Sequence, residues 1–245
     1  MGGSFVPALR GAGHRVVAEL HRGDDQSGLA RATVIVMAVP DDALDDVVRA
    51  VATHARPDAL LIHTCGLEGV EPLRAHGHLV AAIHPASPVA RPGQSFRGTV
   101  FGVTCADDLR EWCASFVADL GGRTLFIAEP DRALYHAALV MASNFAVSLA
   151  GDAADLLGSV EVLIPLLRAT VENVAALGPD AALTGPVVRG DAGTVRAHLR
   201  ALPAELVEMY VANARRALAR AVSSGRLDAI NARAVQEALE EALVP

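Results

Sequence analysis

The apolar positions of this chain fall into two regimes, with the change near residue 129. In the first, short continuous apolar runs alternate with segments of helical spacing. Residues 34–39 are apolar without a break and stop at Pro40, the signature of a strand buried on both faces. Residues 41–53 place Leu44, Val47, Val48 and Val51 at helical spacing, with Asp41 or Asp42 available to cap the start. Residues 60–63 read as another buried strand, closed by Thr64, Cys65 and Gly66. Residues 79–83 are the next, closed by His84 and Pro85. Residues 100–103 and 123–127 follow as strands, with a helix at 107–120 between them. Ahead of these, residues 3–10 read as a short helix ending at Gly11 and Gly13, and residues 15–20 as a strand. Strands alternating with helices predict a parallel sheet covered on both faces.

After Pro130 the strand signals stop. Residues 131–157, 160–177, 203–223 and 228–242 all read as helices. In the third, Val207, Val211, Ala214, Leu218 and Val222 form one stripe, and Arg215, Arg216 and Arg220 lie off it. The expected organisation is an α/β domain over 1–128 followed by an all-α domain over 129–245. The longest weakly polar stretch, 137–150, is read as too short to cross a bilayer and carries Ser143 and Asn144 near its middle.

Composition narrows the function classes. Hydrophobic residues make up 52% and aromatics only 4%, so Ala, Val and Leu must build the core. A net charge of -7 disfavours a nucleic-acid binder. All 21 basic residues are Arg, which excludes any mechanism needing a lysine amine. The three cysteines form no C-x-x-C pair, and the chain opens without a basic-then-apolar leader; both fit a cytoplasmic protein without a membrane partner.

Ligands of open parallel sheets bind beyond the carboxyl ends of the strands. The residues found there are His21 and Arg22, Pro40 and Asp41, His63 to Gly66, and His84 with Pro85. Histidine, the usual acid/base group near neutral pH, stands at three of these four places. Pro85 holds the backbone before it extended, which fixes His84 at its strand end. Arg22 is placed to meet a 2′-phosphate, or Glu19 a 2′-hydroxyl if the strand ends earlier. His63, Cys65 and His84 have zinc-ligand chemistry, but a fourth ligand is missing and no metal is expected.

Several segments carry a family resemblance: Val39-Pro40-Asp41-Asp42, His63 to Gly66, His84-Pro85, Leu134 to Ala137, Ala142-Ser143-Asn144, and Ala182 through Asp191. On these the chain resembles, over nearly its whole length, the bacterial NADP-oxidoreductase-like family that joins a Rossmann-like half to a C-terminal domain of unknown function, DUF2520. That family is similar to the 6-phosphogluconate and β-hydroxyacid dehydrogenases. The resemblance implies a Rossmann-like doubly wound parallel sheet followed by a helical domain that dimerises and helps form a substrate cleft. It implies NADP or NAD as cofactor, with a deazaflavin as an alternative.

Two departures stand out. The family opens with a strand and a G-x-G-x-x-G turn, whereas here Gly2 falls where the last glycine should be and Met1 where a valine is usual. An initiator assigned at an internal GTG codon is the expected reason, and it implies an upstream strand and glycine turn. Cys65 stands where serine is usual, replacing a hydroxyl with a weaker donor.

The resemblance implies cofactor contacts from Gly2, Gly3, Arg22, Val39, Pro40, Asp41, Thr64, Cys65 and Gly66. His84, His63 or His136 would move the proton, Asn144 and Arg189 would orient the substrate, and Ser143 and Thr184 would line its site. The related dehydrogenases carry a catalytic Lys and an Asn on the helix that holds His136; only Asn144 keeps its part here. The leading expectation is an NAD(P)-dependent oxidoreductase moving hydride to or from a carbonyl, imine or alcohol carbon of a small polar or acidic metabolite. The alternative, motivated by the missing lysine, is a non-catalytic dinucleotide or metabolite sensor.

Overall fold

The computed structural model describes residues 2–88 and 93–243. Met1, on which the expectation of an internal valine rests, lies outside them. The chain divides into two compact units, Met1–Leu149 and Ala150–Pro245.

The first unit begins with helix α1 (Gly2–Gly11). Strand β1 (Val34–Met37), helix α2 (Leu44–His54) and strand β2 (Leu60–His63) follow. Next come the one-turn helix α3 (Glu71–Arg74) and strands β3 (Leu79–Pro85) and β4 (Val100–Cys105). Helix α4 (Arg110–Asp119), strand β5 (Arg123–Phe126) and helix α5 (Arg132–Ala142) complete the pattern. The strands lie in the order β1-β2-β3-β4-β5. Pairing is parallel from β1 to β3 and between β4 and β5. The β3–β4 pair is antiparallel and sets His84 opposite Gly102. The sheet is therefore mostly parallel rather than wholly so.

Both faces are covered, as the continuous apolar runs require. On one, Phe5 of α1 and Cys113, Phe116 and Val117 of α4 pack against Ile62, Ile83 and Phe101. On the other, Leu44, Val48 and Val51 of α2 pack with Ile35, Met37 and Leu61.

Three local expectations change. Residues 15–20 form no strand; Val16, Val17 and Ala18 are half-buried in an extended segment without ladder partners. A strand exists only as part of a ladder, and no neighbour for this one stands among the described residues. Neither Asp41 nor Asp42 makes a side-chain cap at α2; both lie in a 3₁₀ turn, Asp41–Ala43, where their charge complements the dipole. The long helix over 131–157 is broken at Ser143 into α5 and helix α6 (Asn144–Leu157). Counted through the break, the run Glu129–Leu157 has 29 residues and is long and apolar enough to cross a membrane by length and composition alone, unlike the shorter stretch 137–150.

The second unit takes the rest of α6 and helices α7 (Leu163–Leu177), α8 (Pro179–Ala182), α9 (Ala192–Ala201), α10 (Ala204–Ser223) and α11 (Ala229–Glu241). The strand regime does end near 129, but α5 and the start of α6 belong with the sheet unit. The second core is built from α9, α10 and α11, including Val195, Leu199, Val211, Leu218 and Val235. On α10 the stripe closes on buried Ala221 rather than on Val222. Asp191 caps α9 by accepting from the Thr194 N–H at 2.9 Å. Gly190, at φ 72°, makes the turn before it, where a Cβ would meet Asn231 at 2.7 Å.

Candidate functional site

The turn after β2 is where chemistry-bearing residues gather, and two buried groups hold it. The His63 ring is fully buried; its Nδ1 accepts from the Cys65 N–H at 3.2 Å, so its Nε2–H donates to the Gly69 carbonyl. Burial holds its pKa down to about 4 against the opposing pull of that Gly69 bond. Both ring nitrogens serve the backbone. His63 therefore staples the turn and has no lone pair for proton transfer, for a nicotinamide or for a metal. In this arrangement the catalytic role expected of His63 has no free ring nitrogen to carry it.

Arg132, at the start of α5, is the second staple. It is 2% exposed, and its guanidinium donates from Nε to Glu68 O at 3.0 Å, from Nη1 to Gly102 O at 3.2 Å and from Nη2 to Cys65 O at 2.6 Å. Burial lowers its pKa from the usual arginine value. The Glu129 carboxylate accepts from Val70 N–H at 3.1 Å and packs on Gly69, where any Cβ would overlap it.

On this frame His84 and His136 converge on Gly66. A Cβ at Gly66 would lie 2.6 Å from His136 Cδ2 and 3.1 Å from His84 Nε2. The two rings stand edge to face, with centroids 6.1 Å apart. His84 Nδ1 lies 2.9 Å from the Tyr135 hydroxyl, and the Tyr135 ring covers Gly102, where a Cβ would come within 2.4 Å of it. Burial, then the Arg132 charge, hold the His84 imidazole down to about 4, so it is neutral at neutral pH. Cys65 is buried in the α2 cluster; burial and then the adjacent Asp41 carboxylate push its thiol up to about 12. What Cys65 offers this site is a backbone carbonyl for Arg132.

At the β1 end, Val39 is half-buried and Pro40 and Asp41 are exposed. The α1 N-terminus starts beside that end, since a Cβ on Gly2 would sit 3.7 Å from Ala38 Cβ. Ser4, 1% exposed in its first turn, has a hydroxyl without a hydrogen-bond partner among the described residues. Gly2, Gly3 and Thr64 thus share the sheet edge that carries Gly66 and His84.

Arg22 sits in an exposed turn beside Asp24 with no strand before it, which removes the strand-end reason for assigning it to a 2′-phosphate. Ser143, at the helix break, and exposed Asn144, just beyond it, follow His136 by about 10–12 Å along the helix path. Thr184 and Arg189 are exposed in the turn-rich segment of the second unit. The pattern along the chain missed Arg132, Tyr135 and Glu129. The signal for Tyr135 was its place beside His136 in a segment that already carried the family resemblance.

Residues 4–85 match the family model described as a Rossmann-like domain, and residues 99–217 match the domain of unknown function DUF2520. No curated protein matches the chain. Among solved structures, the NADP oxidoreductase-like protein BF3122 of Bacteroides fragilis is 22% identical, with 90% of this chain and 92% of that one covered and a TM-score of 0.68. TM1727 of Thermotoga maritima is 24% identical, with 84% and 79% covered and a TM-score of 0.56. At these identities the likeness is one of fold. The chain is thus similar to a Rossmann-like domain over residues 4–85 and to DUF2520 over residues 99–217.

Proposed function

We propose that this protein is a nicotinamide-dinucleotide-dependent oxidoreductase acting on a small polar metabolite, with His84 and His136 at the reacting end of its site. The observation that carries the reading is the convergence of these two rings on Gly66, at the carboxyl end of β2 and β3, where a Rossmann-like sheet takes its ligand. The residues of that edge suit a dinucleotide. The α1 N-terminus at Gly2 and Gly3 suits its phosphates, the Ser4 hydroxyl has no partner among the described residues, and residues 39–41 and 64–66 border the same edge. A bound nicotinamide supplies or takes the hydride.

The protein's own part is to place a neutral imidazole beside the reacting carbon. A neutral imidazole can hydrogen-bond a carbonyl or alcohol oxygen and exchange a proton with it. Neither the choice between NADP and NAD nor a deazaflavin alternative has a residue that favours it, now that Arg22 follows no strand.

The test is a titration with NADPH and NADH, followed by a screen of keto acids and imines for loss of reduced-cofactor absorbance. Replacing His84 or His136 by Ala is expected to lower turnover at least roughly 10²-fold at the acid/base position. Binding of neither nucleotide, or turnover indifferent to both changes, overturns the proposal. Tight binding without turnover of any substrate selects the sensor reading.

A further inference from the structure

His84 is held from behind by Tyr135, to which the sequence analysis gave no role. Its Nδ1 is 2.9 Å from the Tyr135 Oη, and the two rings meet edge to face with centroids 5.8 Å apart. Tyr135 is itself pinned. Its ring fills the space a Cβ would take on Gly102, the residue opposite His84 in the β3–β4 ladder, and the Arg132 guanidinium stands 5.5 Å from the ring centroid. Arg132 is in turn bound to three backbone carbonyls, one of them that of Gly102.

We infer that Tyr135 is a positioning residue that donates its hydroxyl proton to His84 Nδ1, fixing His84 as the Nε2–H tautomer and making this site specific for a ligand that presents an acceptor oxygen, a carbonyl or a carboxylate, to that N–H.

A neutral imidazole has one donor and one acceptor nitrogen, and the bond made by one decides the state of the other. The phenol keeps its proton at neutral pH, because burial pushes Tyr135 above the usual tyrosine range against the pull of Arg132 and the Gly102 backbone. The one hydrogen-bond partner of the Tyr135 hydroxyl among the described residues is His84 Nδ1, so the O–H is free to point at that nitrogen. Nε2, the nitrogen facing Gly66 and His136, then carries the hydrogen. The charged and titratable groups around His84 are Arg132, His136, Asp41 and His63. Of these, His63 is committed to the backbone and Arg132 to carbonyls, so neither competes for the ligand oxygen.

This inference rests on the proposed ligand site but not on the cofactor, and its test needs neither nucleotide nor turnover. Histidine ring nitrogens of the full chain are followed by heteronuclear NMR at neutral pH, with His84 assigned by its loss in His84→Asn. The expected result is a pyrrole-like Nε2 and a pyridine-like Nδ1 for His84. In Tyr135→Phe, which keeps the ring over Gly102, the two nitrogen shifts should move toward each other as the tautomers mix. The His63 signals, held by backbone bonds, should stay fixed in both proteins. An Nδ1–H tautomer in the wild type, or an unchanged His84 pattern in Tyr135→Phe, overturns the inference. Failure of NADPH to bind would overturn the proposed function and leave this result standing.

Discussion

Replacing Arg132 by Met removes the guanidinium but keeps a stem of similar length. Three carbonyls lose a donor. The Glu68 carbonyl is partly exposed and can turn to water, and the Gly102 carbonyl keeps its ladder bond in the β3–β4 pair, which leaves the buried Cys65 carbonyl stranded. A stranded buried acceptor costs about 1–3 kcal/mol, and the lost second bond on Gly102 adds about 0.5–1.5 kcal/mol. Against this, methionine removes the cost of burying a charge, which pulls the net toward the lower part of the range. The expected loss is about 1–3 kcal/mol, or a Tm lower by roughly 3–10 °C. Trp112, the sole tryptophan, lies on α4 of the same unit, so its fluorescence in urea reports this unit's unfolding. Arg132→Lys should fall between the two, because a compact ammonium lacks the rigid fork that reaches carbonyls on separate segments. A loss below about 1 kcal/mol in Arg132→Met would refute the assignment of Arg132 as the staple of this site.

Gly66→Ala places a methyl 2.6 Å from His136 and 3.1 Å from His84, and is expected to cost about 1–3 kcal/mol and to weaken nucleotide binding; wild-type stability together with wild-type affinity would count against the convergence. His63 is neutral in folded and unfolded chains above pH 6.5, so its burial contributes fully there. As pH falls from 6.5 toward 4 the unfolded chain takes up a proton the folded one refuses, and stability drops by up to about 1.4 kcal/mol per pH unit, with His84 adding in the same direction. Urea melts at pH 7 and pH 5 should show a smaller drop for His63→Gln, and equal drops would contradict the reading. Helix α7 leaves Leu166 61% and Val171 69% exposed, an apolar surface that we propose a second copy of this chain covers. Sedimentation at micromolar concentration should give a dimer that Leu166→Glu with Val171→Glu converts to monomer; a wild-type monomer, or a protein recovered only with membranes, would contradict it.

Strands β1 to β4 were legible because each carries a short apolar run, the mark that burial on both faces leaves on a sequence, whereas β5 only alternates exposed and half-buried residues. Strand direction leaves none: residues 100–103 look alike whether β4 runs with β3 or against it. Residues 15–20 have strand composition, yet composition does not supply a ladder partner. At the candidate site, His84 and Gly66 could be placed from the rule that ligands gather at strand ends. The bonds deciding what each residue does join positions far apart in the chain: Arg132 to Cys65, Tyr135 to His84, Glu129 to Val70. No spacing rule reaches across such distances, so His63 looked as chemical as His84 until its backbone partners were known.

The central claim is that the cleft between His84 and His136 receives the nicotinamide dinucleotide and its substrate. It is tested most directly by adding NADPH to the labelled protein and following the histidine ring resonances. The account predicts that His84 and His136 shift together and saturably while His63 does not move. Saturable binding that leaves both His84 and His136 unmoved, or no binding at all, would contradict it.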